Sequence, residues 1–344
     1  ENKWKSKFHE NGIIYKQIIV ERNSINPLYD LRTYKELHKF MKEEKIESLD
    51  LRSKNLLEPV KYALLQGGKR MRPTLLLLAC EINGGDIDDA LYPAIGLELF
   101  HNMTLVHDDI MDNADIRRSA PTVYKKWDVN TAILAGDAIF ALAIKYLVQT
   151  KSNYIKDIAN LFNFTSLKVC EGQQYDMDFE KVDEVSINEY IEMIRSKTAV
   201  MLASALKIGA LIAGTSLEQQ NYYYSYGENI GLAFQLMDDW LDVYGDSKVF
   251  GKNIGGDIIE GKKTYLYLKA LEQADSETKE KLIKTYNNFD LDDNEKIKEV
   301  MDIYDKLNIK QLTLAAIRSY QKTAYDILPK LYLNKVLILS NAFC

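Results

Sequence analysis

Six aspartates in two separate segments have the residue type and the spacing for metal chemistry. The segments are His107-Asp-Asp-Ile-Met-Asp112 and Asp238-Asp-Trp-Leu-Asp242. At about 100° of rotation per helical residue, the three carboxylates of each segment fall within an arc of about 100° on one helix face. Carboxylates crowded in this way repel one another unless a cation lies between them. The six positions are Asp108, Asp109, Asp112, Asp238, Asp239 and Asp242.

One acidic segment of this kind is most simply interpreted as a solvated helix face, but the pattern occurs twice. Each copy ends an apolar helical run, Leu97 to Val106 for the first and Ile230 to Met237 for the second. An exposed face would be more polar at those places. Two such triplets facing each other would form an oxygen-rich site for hard divalent cations, above all Mg²⁺, with room for phosphate oxygens. The duplication therefore favours a magnesium site.

Two basic segments suggest anion binding. In Gly67-Gly68-Lys69-Arg70-Met71-Arg72-Pro73, Gly68 lets the backbone approach an anion, while Lys69 and Arg72 suit it by charge and geometry. Alone this is a weak signal, because basic residues at helix junctions are usually solvated. A second basic pair, Arg117-Arg118, closely follows the first acidic segment. Metal-filled carboxylates beside two basic clusters predict two anions, one bound through Mg²⁺ and one bound directly by Lys and Arg.

The segment Asp246 to Thr264 is rich in glycine, lysine and aspartate and closely follows the second acidic segment. A hydrophilic surface loop is its commonest interpretation, although its position also fits a mobile lid with cationic tips at Lys252, Lys262 and Lys263. Isolated polar residues in otherwise apolar helical runs are either satisfied core groups or the lining of a polar cavity. They are Gln173, Asp176, Lys197, Thr198 and Gln235.

The elements that would position these residues are helices. The 344 residues are 47% hydrophobic and 27% charged, an ordinary globular composition. Six prolines and 17 glycines are too few turn-formers for a many-stranded β-sandwich. Apolar residues recur at three- and four-residue spacing from about Leu31 onward. A net charge of −6 argues against a nucleic-acid-binding protein. An all-α protein is predicted.

Helix ends are predicted at Gly67-Gly68 and at Asn83-Gly84-Gly85, and a helix is predicted to enter at Pro93 and to run through Asp108. Further helices are expected at about 122–150, 153–179, 187–214 and 217–244, and several more after a loop at 245–263. No linker divides the chain. A single domain of about ten helices is therefore predicted for residues 31–344, preceded by an extension of unknown role at residues 1–30.

Cysteine use and hydropathy predict a cytoplasmic chain. Cys80, Cys170 and Cys344 are widely spaced and form no C-x-x-C pair, which excludes a disulfide framework and a thiolate zinc site. The longest apolar stretch, Ala199 to Gly214, has Lys207 at its middle, so a buried core helix is favoured over a transmembrane segment. We expect no signal peptide and no transmembrane segment.

Together these motifs resemble the trans-isoprenyl diphosphate synthases, the polyprenyl synthetase family of head-to-tail chain-elongation enzymes. The resemblance spans about Tyr34 to Tyr325. One departure is Ser119, where the family usually has glycine after the arginine pair. The matching motifs, in chain order, are Gly68-Lys69-x-x-Arg72-Pro73, Asp-Asp-Ile-Met-Asp with Arg117-Arg118, Glu171-Gly172-Gln173-x-x-Asp176, Lys197-Thr198-Ala199, Phe234-Gln235-x-x-Asp-Asp-Trp-Leu-Asp, and Gly251-Lys252 through Asp257 to Lys262.

The resemblance implies an all-α isoprenoid synthase bundle around a central cavity, usually a homodimer, that condenses an allylic diphosphate with isopentenyl diphosphate. Three Mg²⁺ ions would grip the allylic diphosphate, bound by Asp108, Asp109, Asp112, Asp238 and Asp242 and supported by Asp239. Arg117, Lys197, Lys252 and Lys262 would hold the same diphosphate. Isopentenyl diphosphate would be held by Gly68, Lys69, Arg72, His101 and Arg118, with Gln173 and Asp176 also in the substrate site. Thr198 and Gln235 would offer oxygen dipoles to the allylic cation.

Product length is expected to depend on Met103 and Phe100, with Thr104 beside them. Met103 and Phe100 lie on one helical stripe, because they are three residues apart. In the family, an aromatic residue at the position of Met103 is typical of farnesyl-length products, and alanine of long chains. A flexible methionine would bend aside and leave Phe100 as a floor about 4.5 Å deeper. Geranylgeranyl diphosphate is the predicted product, with farnesyl diphosphate as runner-up and a longer polyprenyl diphosphate as a further alternative.

Two other functions are left open. A class I terpene cyclase shares the fold and the metal chemistry, but it needs no second diphosphate site, and its second metal motif normally mixes Asn, Ser and Glu. A non-catalytic subunit of a heteromeric synthase tends to lose aspartates, and neither segment lacks one here. An assay with isopentenyl diphosphate and an allylic diphosphate separates elongation, cyclisation and inactivity.

Overall fold

A computed structural model describes residues 51–245 and 254–331. Nearly all regular structure within these ranges is helical, and the β structure found there is one short hairpin, Ile116–Arg117 paired antiparallel with Ala120–Pro121. The all-α prediction is confirmed. The expectations for residues 1–30 and for Lys252 and Cys344 lie outside the described residues.

The α-helices are labelled in chain order. They are α1 (Lys54–Leu65), α2 (Met71–Ile82), α3 (Ile87–Met111), α4 (Val123–Lys126), α5 (Val129–Leu147), α6 (Ile155–Phe179), α7 (Ile187–Ile194), α8 (Val200–Ile212), α9 (Leu217–Tyr244), α10 (Gly256–Glu260), α11 (Tyr265–Gln273), α12 (Ser276–Tyr286), α13 (Asp293–Lys306) and α14 (Ile309–Ile327). A π-helix, Arg195–Ala199, joins α7 to α8, and a 3₁₀ turn, Leu328–Lys330, follows α14. The strands of the hairpin, β1 and β2, lie between α3 and α4.

The described residues form two compact units, each built from non-contiguous parts of the chain. Unit 1 contains residues 51–163 and 204–223 with Leu331. Unit 2 contains residues 164–203 and the described part of 224–330. The single domain expected over residues 31–344 stays a prediction.

The centre of unit 1 is α3, which packs against α2 and α5 and is buried along most of its length. At Gly96 a Cβ would lie 2.8 Å from the carbonyl oxygen of Ala143, so the close approach of α5 requires a glycine there. The two glycine-marked helix ends are confirmed, because α1 stops at Leu65 and α2 at Ile82.

The predicted start of α3 at Pro93 was wrong, because the helix begins at Ile87 and Pro93 lies inside it. The side chain of Asp86 caps the helix by accepting a hydrogen bond from the N–H of Asp88. Pro93 has no N–H to donate to the carbonyl of Asp89 four residues earlier. The hydroxyl of Thr150 donates to that carbonyl instead, at 2.8 Å, so the orphaned acceptor is satisfied from outside the helix.

The apolar stretch around Lys207 forms α8, most of which is buried, as predicted. The ammonium of Lys207 donates to the side-chain oxygen of Asn221 at 2.9 Å. A different helix, α5, is long and apolar enough to cross a membrane by length and composition alone, with a mean hydropathy of 1.3. Core helices of water-soluble proteins pass the same test.

In unit 2 the short helix α10 packs against α13, and the carboxyl-terminal helices α11 to α14 pack against one another. The rings of Tyr267 and Tyr286 stack at 4.0 Å between centroids. Lys296 on α13 is 1% exposed, and its ammonium donates to the carbonyl oxygen of Ile259 at 3.1 Å. This buried lysine fixes the carboxyl end of α10, where backbone carbonyls have no partner within the helix.

Candidate active site

The first acidic segment lies at the carboxyl end of α3 in unit 1. Asp108 and Asp109 are in the last helical turn, and Asp112 is the C-cap, with its N–H bonded to the carbonyl of Asp108 at 2.8 Å. Asp109 is only 3% exposed, whereas Asp112 is exposed. The end of a helix that carries negative partial charge is unfavourable for carboxylates. These three side chains therefore need cations.

Arg117 supplies one such cation. Its Nε donates to Asp109 Oδ1 at 2.5 Å, and its Nη2 donates to Asp108 Oδ2 at 3.4 Å. Burial raises the pKa of Asp109, and the charge of Arg117 opposes that shift. The hairpin presents Arg117, which pairs with Ala120 across the two strands.

The turn of this hairpin consists of Arg118 and Ser119, both in the left-handed region with φ values of 53° and 64°. Two positive φ values are the signature of a type I′ turn, which strongly prefers glycine at its second position. The departure from the family pattern at Ser119 therefore falls on a position with a real backbone constraint.

Arg118 connects the hairpin to the first basic segment. Its guanidinium donates to the carbonyl oxygen of Gly67. At Gly68 the φ is +139°, and a Cβ would lie 2.9 Å from Arg118 Nη2. The positive φ requires glycine at position 68, and the missing side chain leaves room for the guanidinium beside the backbone.

Arg72 and His101 meet in the same basic cluster, with Arg72 Nη1 at 3.2 Å from His101 Nε2. Burial, followed by the charges of Arg72 and Arg118, lowers the pKa of His101 well below its usual value. The imidazole is therefore neutral and accepts the hydrogen bond from Arg72. Lys69 is exposed at the start of this segment. This concentration of positive charge suits a diphosphate.

Arg70 anchors the basic cluster of Arg72, His101 and Arg118, a role that sequence reasoning missed. It lies in the left-handed conformation, with φ 50°, directly before α2. Its guanidinium binds the buried carboxylate of Glu98 and the carbonyl oxygen of Leu64. Because Glu98 is on α3, this ion pair fixes the basic segment to the helix that carries the first acidic segment.

The three predicted chain-length residues are on α3 as expected. Phe100 is 1% exposed, and Met103 is half-buried one turn nearer to Asp108. The ring of Phe100 packs against Phe162 at 5.3 Å and Phe140 at 5.9 Å between centroids. The hydroxyl of the third residue, Thr104, donates to the carbonyl of His101 at 2.8 Å and so satisfies a helical acceptor.

The second acidic segment lies near the carboxyl end of α9 in unit 2. Asp238 is exposed, and Asp239 is only 4% exposed. The hydroxyl of Tyr190 donates to Asp239 Oδ2, and Gln235 Nε2 donates to Asp239 Oδ1 at 3.1 Å. Burial raises the pKa of Asp239 to about 7, and the charge of Asp238 adds to this effect.

Asp242 makes contact with the start of α10. Its Oδ2 accepts from the N–H of Asp257 at 3.0 Å, and its carbonyl accepts from the N–H of Gly255 at 2.7 Å. Burial raises the pKa of Asp257, and the charges of Asp242 and Asp239 raise it further. These carboxylates are close enough to repel one another, which is the electrostatic condition that a divalent cation relieves.

Lys197 and Thr198 lie in the π-helix between α7 and α8. Single π-turns within helices are frequent at functional sites. Lys197 Nζ donates to Asp176 Oδ2 at 2.6 Å, and the hydroxyl of Thr198 donates to Gln235 Oε1 at 3.0 Å. At Gly172 a Cβ would lie 2.7 Å from Lys197 Cα, so α6 contacts the backbone of the π-helix directly.

A cavity of about 140 Å³ in unit 2 brings most of the predicted polar residues of this unit together. Gln173 is half-buried on α6 and is not in its lining. Lys262 is in the lining and pairs with Glu260 at 2.9 Å. Among the residues that face the cavity are Asp176, Tyr190, Lys197, Thr198, Gln235, Asp239, Asp257 and Lys262.

The donor set fits Mg²⁺. Hard divalent cations prefer carboxylate oxygens, and each unit offers three aspartates at the end of a helix. Within residues 51–245 and 254–331, no three potential metal ligands already converge on one point. The metal cage formed by both triplets together stays a prediction.

Comparison with known proteins identifies the family. The sequence model of polyprenyl synthetases matches residues 53–304. The chain belongs to the polyprenyl synthetase family. It is 38% identical to a short chain isoprenyl diphosphate synthase of Methanothermobacter thermautotrophicus over 86% of this chain and 90% of that protein. It is 42% identical to a geranylgeranyl diphosphate synthase of Methanosarcina mazei over 64% of this chain and 69% of that protein.

Solved structures agree with this membership. A geranylgeranyl pyrophosphate synthetase from Pyrococcus horikoshii Ot3 has a TM-score of 0.80 and 36% identity, over 90% of this chain and 96% of that chain. As a member of the polyprenyl synthetase family the protein is a prenyltransferase. The family depends on Mg²⁺ and uses an allylic diphosphate and isopentenyl diphosphate as substrates.

Besides Arg70, two residues of this polyprenyl synthetase were missed as site residues. Asp257 was noticed only as part of a motif, and the structure brings it to the second acidic segment. Tyr190 gave no signal at all, because nothing in its neighbourhood along the chain marks it as polar machinery. Its contact with Asp239 spans 49 residues of sequence and depends on the packing of α7 against its neighbours.

Proposed function

We propose that the protein joins an allylic diphosphate to isopentenyl diphosphate, head to tail, and releases geranylgeranyl diphosphate as its main product. The observation that carries this proposal is the aromatic cluster of Phe100, Phe140 and Phe162 beneath Met103 in unit 1. The name of the Methanosarcina mazei relative supports the same product.

The aromatic cluster supports a floor of defined depth. Phe100 is held on two sides by other rings, so it has little freedom to swing aside. Met103 is half-buried and unbranched, and it can adapt to a growing tail. Three helical residues separate the two positions, a rise of about 4.5 Å. That rise is close to the length of one five-carbon unit, so the proposed stop would lie one unit beyond a farnesyl tail.

Two anion sites would hold the substrates. Isopentenyl diphosphate would bind the cluster of Gly68, Lys69, Arg72, His101 and Arg118, where an Arg–His contact and a close backbone approach support diphosphate binding. The allylic diphosphate would bind Arg117, Lys197, Lys252 and Lys262, with Gln173 and Asp176 nearby. Lys197 and Lys262 now pair with Asp176 and Glu260, and a diphosphate would compete for them.

Three Mg²⁺ ions per active site would be held by Asp108, Asp109, Asp112, Asp238 and Asp242. Asp108, Asp112, Asp238 and Asp242 have the more accessible carboxylates. Asp239 would support the set from its buried position. Bound Mg²⁺ supplies charge neutralisation for the departing pyrophosphate.

The protein's own residues support each bond change. The carbon–oxygen bond of the allylic diphosphate breaks, and pyrophosphate leaves with the electron pair beside Arg117, Lys197 and Lys262. The oxygen dipoles of Thr198 and Gln235 would stabilise the carbocation that remains. The double bond of isopentenyl diphosphate attacks this cation, and a proton then passes to pyrophosphate. The apolar helices exclude water, which would otherwise capture the cation.

We also infer a homodimer in the cytoplasm. Helix α5 leaves Ile133, Leu134 and Ile144 exposed on one face, at 41%, 58% and 42%. A group of exposed apolar side chains on one helix face is typical of protein–protein contacts. Burying these side chains against a second copy would remove apolar surface from water, so we place the dimer contact on this helix. Light scattering of the purified chain measures the assembly directly.

Product analysis tests the function. The purified protein, dimethylallyl diphosphate, labelled isopentenyl diphosphate and Mg²⁺ should give geranylgeranyl diphosphate on chromatography. A cyclised hydrocarbon would indicate a terpene cyclase, and no product would indicate a non-catalytic subunit.

Side-chain changes in the aromatic cluster test the product length. Phe100→Ala should lengthen the product because it removes the floor, and Met103→Phe should shorten it by one five-carbon unit. Phe289→Ala serves as the control, since Phe289 is 70% exposed in unit 2 and should leave the product unchanged. An unchanged product distribution in Phe100→Ala would refute the floor.

A further inference from the structure

Four side chains in unit 2 form one continuous series of hydrogen bonds along the cavity. The hydroxyl of Thr198 donates to Gln235 Oε1 at 3.0 Å, and Gln235 Nε2 donates to Asp239 Oδ1 at 3.1 Å. The hydroxyl of Tyr190 donates to the other carboxylate oxygen, Asp239 Oδ2. All four residues line the cavity of about 140 Å³.

The direction of every bond in this series follows from Asp239. An ionised carboxylate has no hydrogen to donate, so both oxygens of Asp239 accept, one from the Tyr190 hydroxyl and the other from Gln235 Nε2. Gln235 must therefore turn its NH₂ group toward Asp239. The amide oxygen of Gln235 then faces Thr198.

These bond directions fix the orientation of the Thr198 hydroxyl. Its hydroxyl hydrogen is committed to the amide oxygen of Gln235, so the lone pairs of its oxygen remain for the cavity. A flipped Gln235 amide would reverse both dipoles, because its NH₂ group would then donate to Thr198 and turn the hydroxyl hydrogen outward. The series therefore determines whether a negative or a positive end of the Thr198 hydroxyl dipole faces a cation in the cavity.

Tyr190 is the far end of the series. It is on α7, one helix before the π-helix that carries Thr198, and it is 3% exposed. Without its hydroxyl, the buried Asp239 Oδ2 would lose a donor and the carboxylate would be free to turn. A turned carboxylate moves Oδ1 away from Gln235 Nε2, and the amide then loses the acceptor that selects its orientation.

We propose that Tyr190 is a positioning residue that, through Asp239 and Gln235, directs the oxygen lone pairs of Thr198 at the allylic carbocation. This inference rests on the proposed prenyl transfer, in which Thr198 faces that cation. Tyr190 itself touches neither substrate nor metal. Its contribution is the orientation of two dipoles that are set before the charge develops, so no reorganisation is needed during the reaction.

A double-mutant cycle tests the proposal. Tyr190→Phe removes only the hydroxyl, and Thr198→Val removes the oxygen on which it acts. We expect Tyr190→Phe to lower kcat about tenfold to a hundredfold, with KM for both diphosphates and the Mg²⁺ concentration for half-maximal activity within about twofold of wild type. The double variant should be no slower than Thr198→Val alone, because the two changes interrupt one series.

Tyr226→Phe is the matched control. Tyr226 lies on α9, 13 residues before Asp239. That separation is about 20 Å along the helix axis. Its substitution should leave kcat and the cycle unchanged. Far-UV circular dichroism and thermal melting at the assay temperature establish that each variant is folded.

Two outcomes would overturn the inference. Multiplicative losses in the double variant would show that Tyr190 acts independently of Thr198, and a raised Mg²⁺ requirement in Tyr190→Phe would place its effect at the metal site. If Tyr190→Phe does not fold, the same cycle with Gln235→Leu in its place tests the series, and multiplicative losses again contradict it. Inactivity of the wild-type chain with both diphosphates would instead refute the proposed function.

Discussion

The two acidic segments have the same spacing and the same place at the end of a long helix, yet the protein satisfies them differently. In unit 1 a cation, Arg117, binds Asp109 and Asp108. In unit 2 neutral donors, the Tyr190 hydroxyl and the Gln235 amide, bind Asp239. The middle aspartate is the buried one in both segments, at 3% and 4% exposure. The middle aspartate of each triplet is thus the most buried one and is held by protein donors, whereas its neighbours are more accessible to a ligand.

This comparison assigns different work to aspartates that look equivalent in the sequence. The outer residues, Asp108 and Asp238, are the more accessible ones. The middle residues, Asp109 and Asp239, are buried carboxylates whose hydrogen bonds to protein donors fix their position next to the outer ones. Loss of an outer residue should therefore affect catalysis, while loss of the partner of a middle residue should also affect stability.

The largest expected effect follows from removing an outer carboxylate. Asp108→Ala or Asp238→Ala should reduce kcat about a thousandfold or more, because charge stabilisation at the leaving group depends on these oxygens. Helical content by circular dichroism should stay unchanged. Asp302→Ala, an exposed aspartate on α13, is the control and should retain full activity. Normal turnover by either variant at saturating Mg²⁺ would remove these residues from the metal site.

A smaller effect, on stability, should follow from removing the arginine that stabilises Asp109 in unit 1. Arg117→Ala leaves Asp109 buried without its counter-charge, which should cost about 2 kcal/mol of unfolding free energy at pH 8. Burial already raises the pKa of Asp109 above its unfolded value, and the variant raises it further. The folded state then binds more protons than the unfolded state, so stability falls as pH rises through this window.

The loss in Arg117→Ala should accordingly be smaller at pH 5 than at pH 8, as measured by urea unfolding in the absence of Mg²⁺. Lys125→Ala is the control, because its pair with Asp115 is exposed on the same part of unit 1. Its substitution should have little effect at either pH. An equal loss at both pH values in Arg117→Ala would mean that the carboxylate of Asp109 is not what the arginine stabilises.

The smallest expected effect is a change in stability caused by substitution in the turn of the hairpin that carries Arg117. Ser119 has φ 64°, a conformation that costs a non-glycine residue about 1–2 kcal/mol. Ser119→Gly should therefore raise the free energy of unfolding by about 0.5–1 kcal/mol after the entropy of the added glycine is included. Ala120→Gly, at the next residue in β2, should instead destabilise. Thermal melting compares the stabilities of the two variants. A lower melting temperature for Ser119→Gly than for wild type would contradict the claim that the backbone at Ser119 is strained.

The sequence predicted the features that repeat or lie close together along the chain. The two triplets repeat, the glycine pairs mark helix ends, and Arg117 is only eight residues from Asp109. Each follows from local geometry and charge. The start of α3 was misplaced because a proline was taken as a helix start, whereas Thr150 supplies the missing hydrogen bond from 61 residues away.

The features that sequence reasoning missed all depend on tertiary packing. The ion pair of Arg70 with Glu98 spans 28 residues, and the contact of Tyr190 with Asp239 spans 49. Neither pair has a periodic or repeated signal, and tyrosine is so common in this chain, at 22 residues, that one more carries no information. Side chains that position the candidate site residues are therefore harder to predict from the sequence than the motif residues themselves.

The contact at Gly172 sets a limit on how this protein can evolve. There the boundary of the site is backbone against backbone, since a Cβ would fall 2.7 Å from Lys197 Cα. No rotamer change can relieve such a clash, so any residue other than glycine at position 172 would force the two backbones apart. Around Phe100 the boundary is made of rings, and each ring can be exchanged for a smaller or larger one. If these rings set the product length as proposed, single substitutions among them would change the product, while position 172 beside Lys197 would accept no side chain larger than hydrogen.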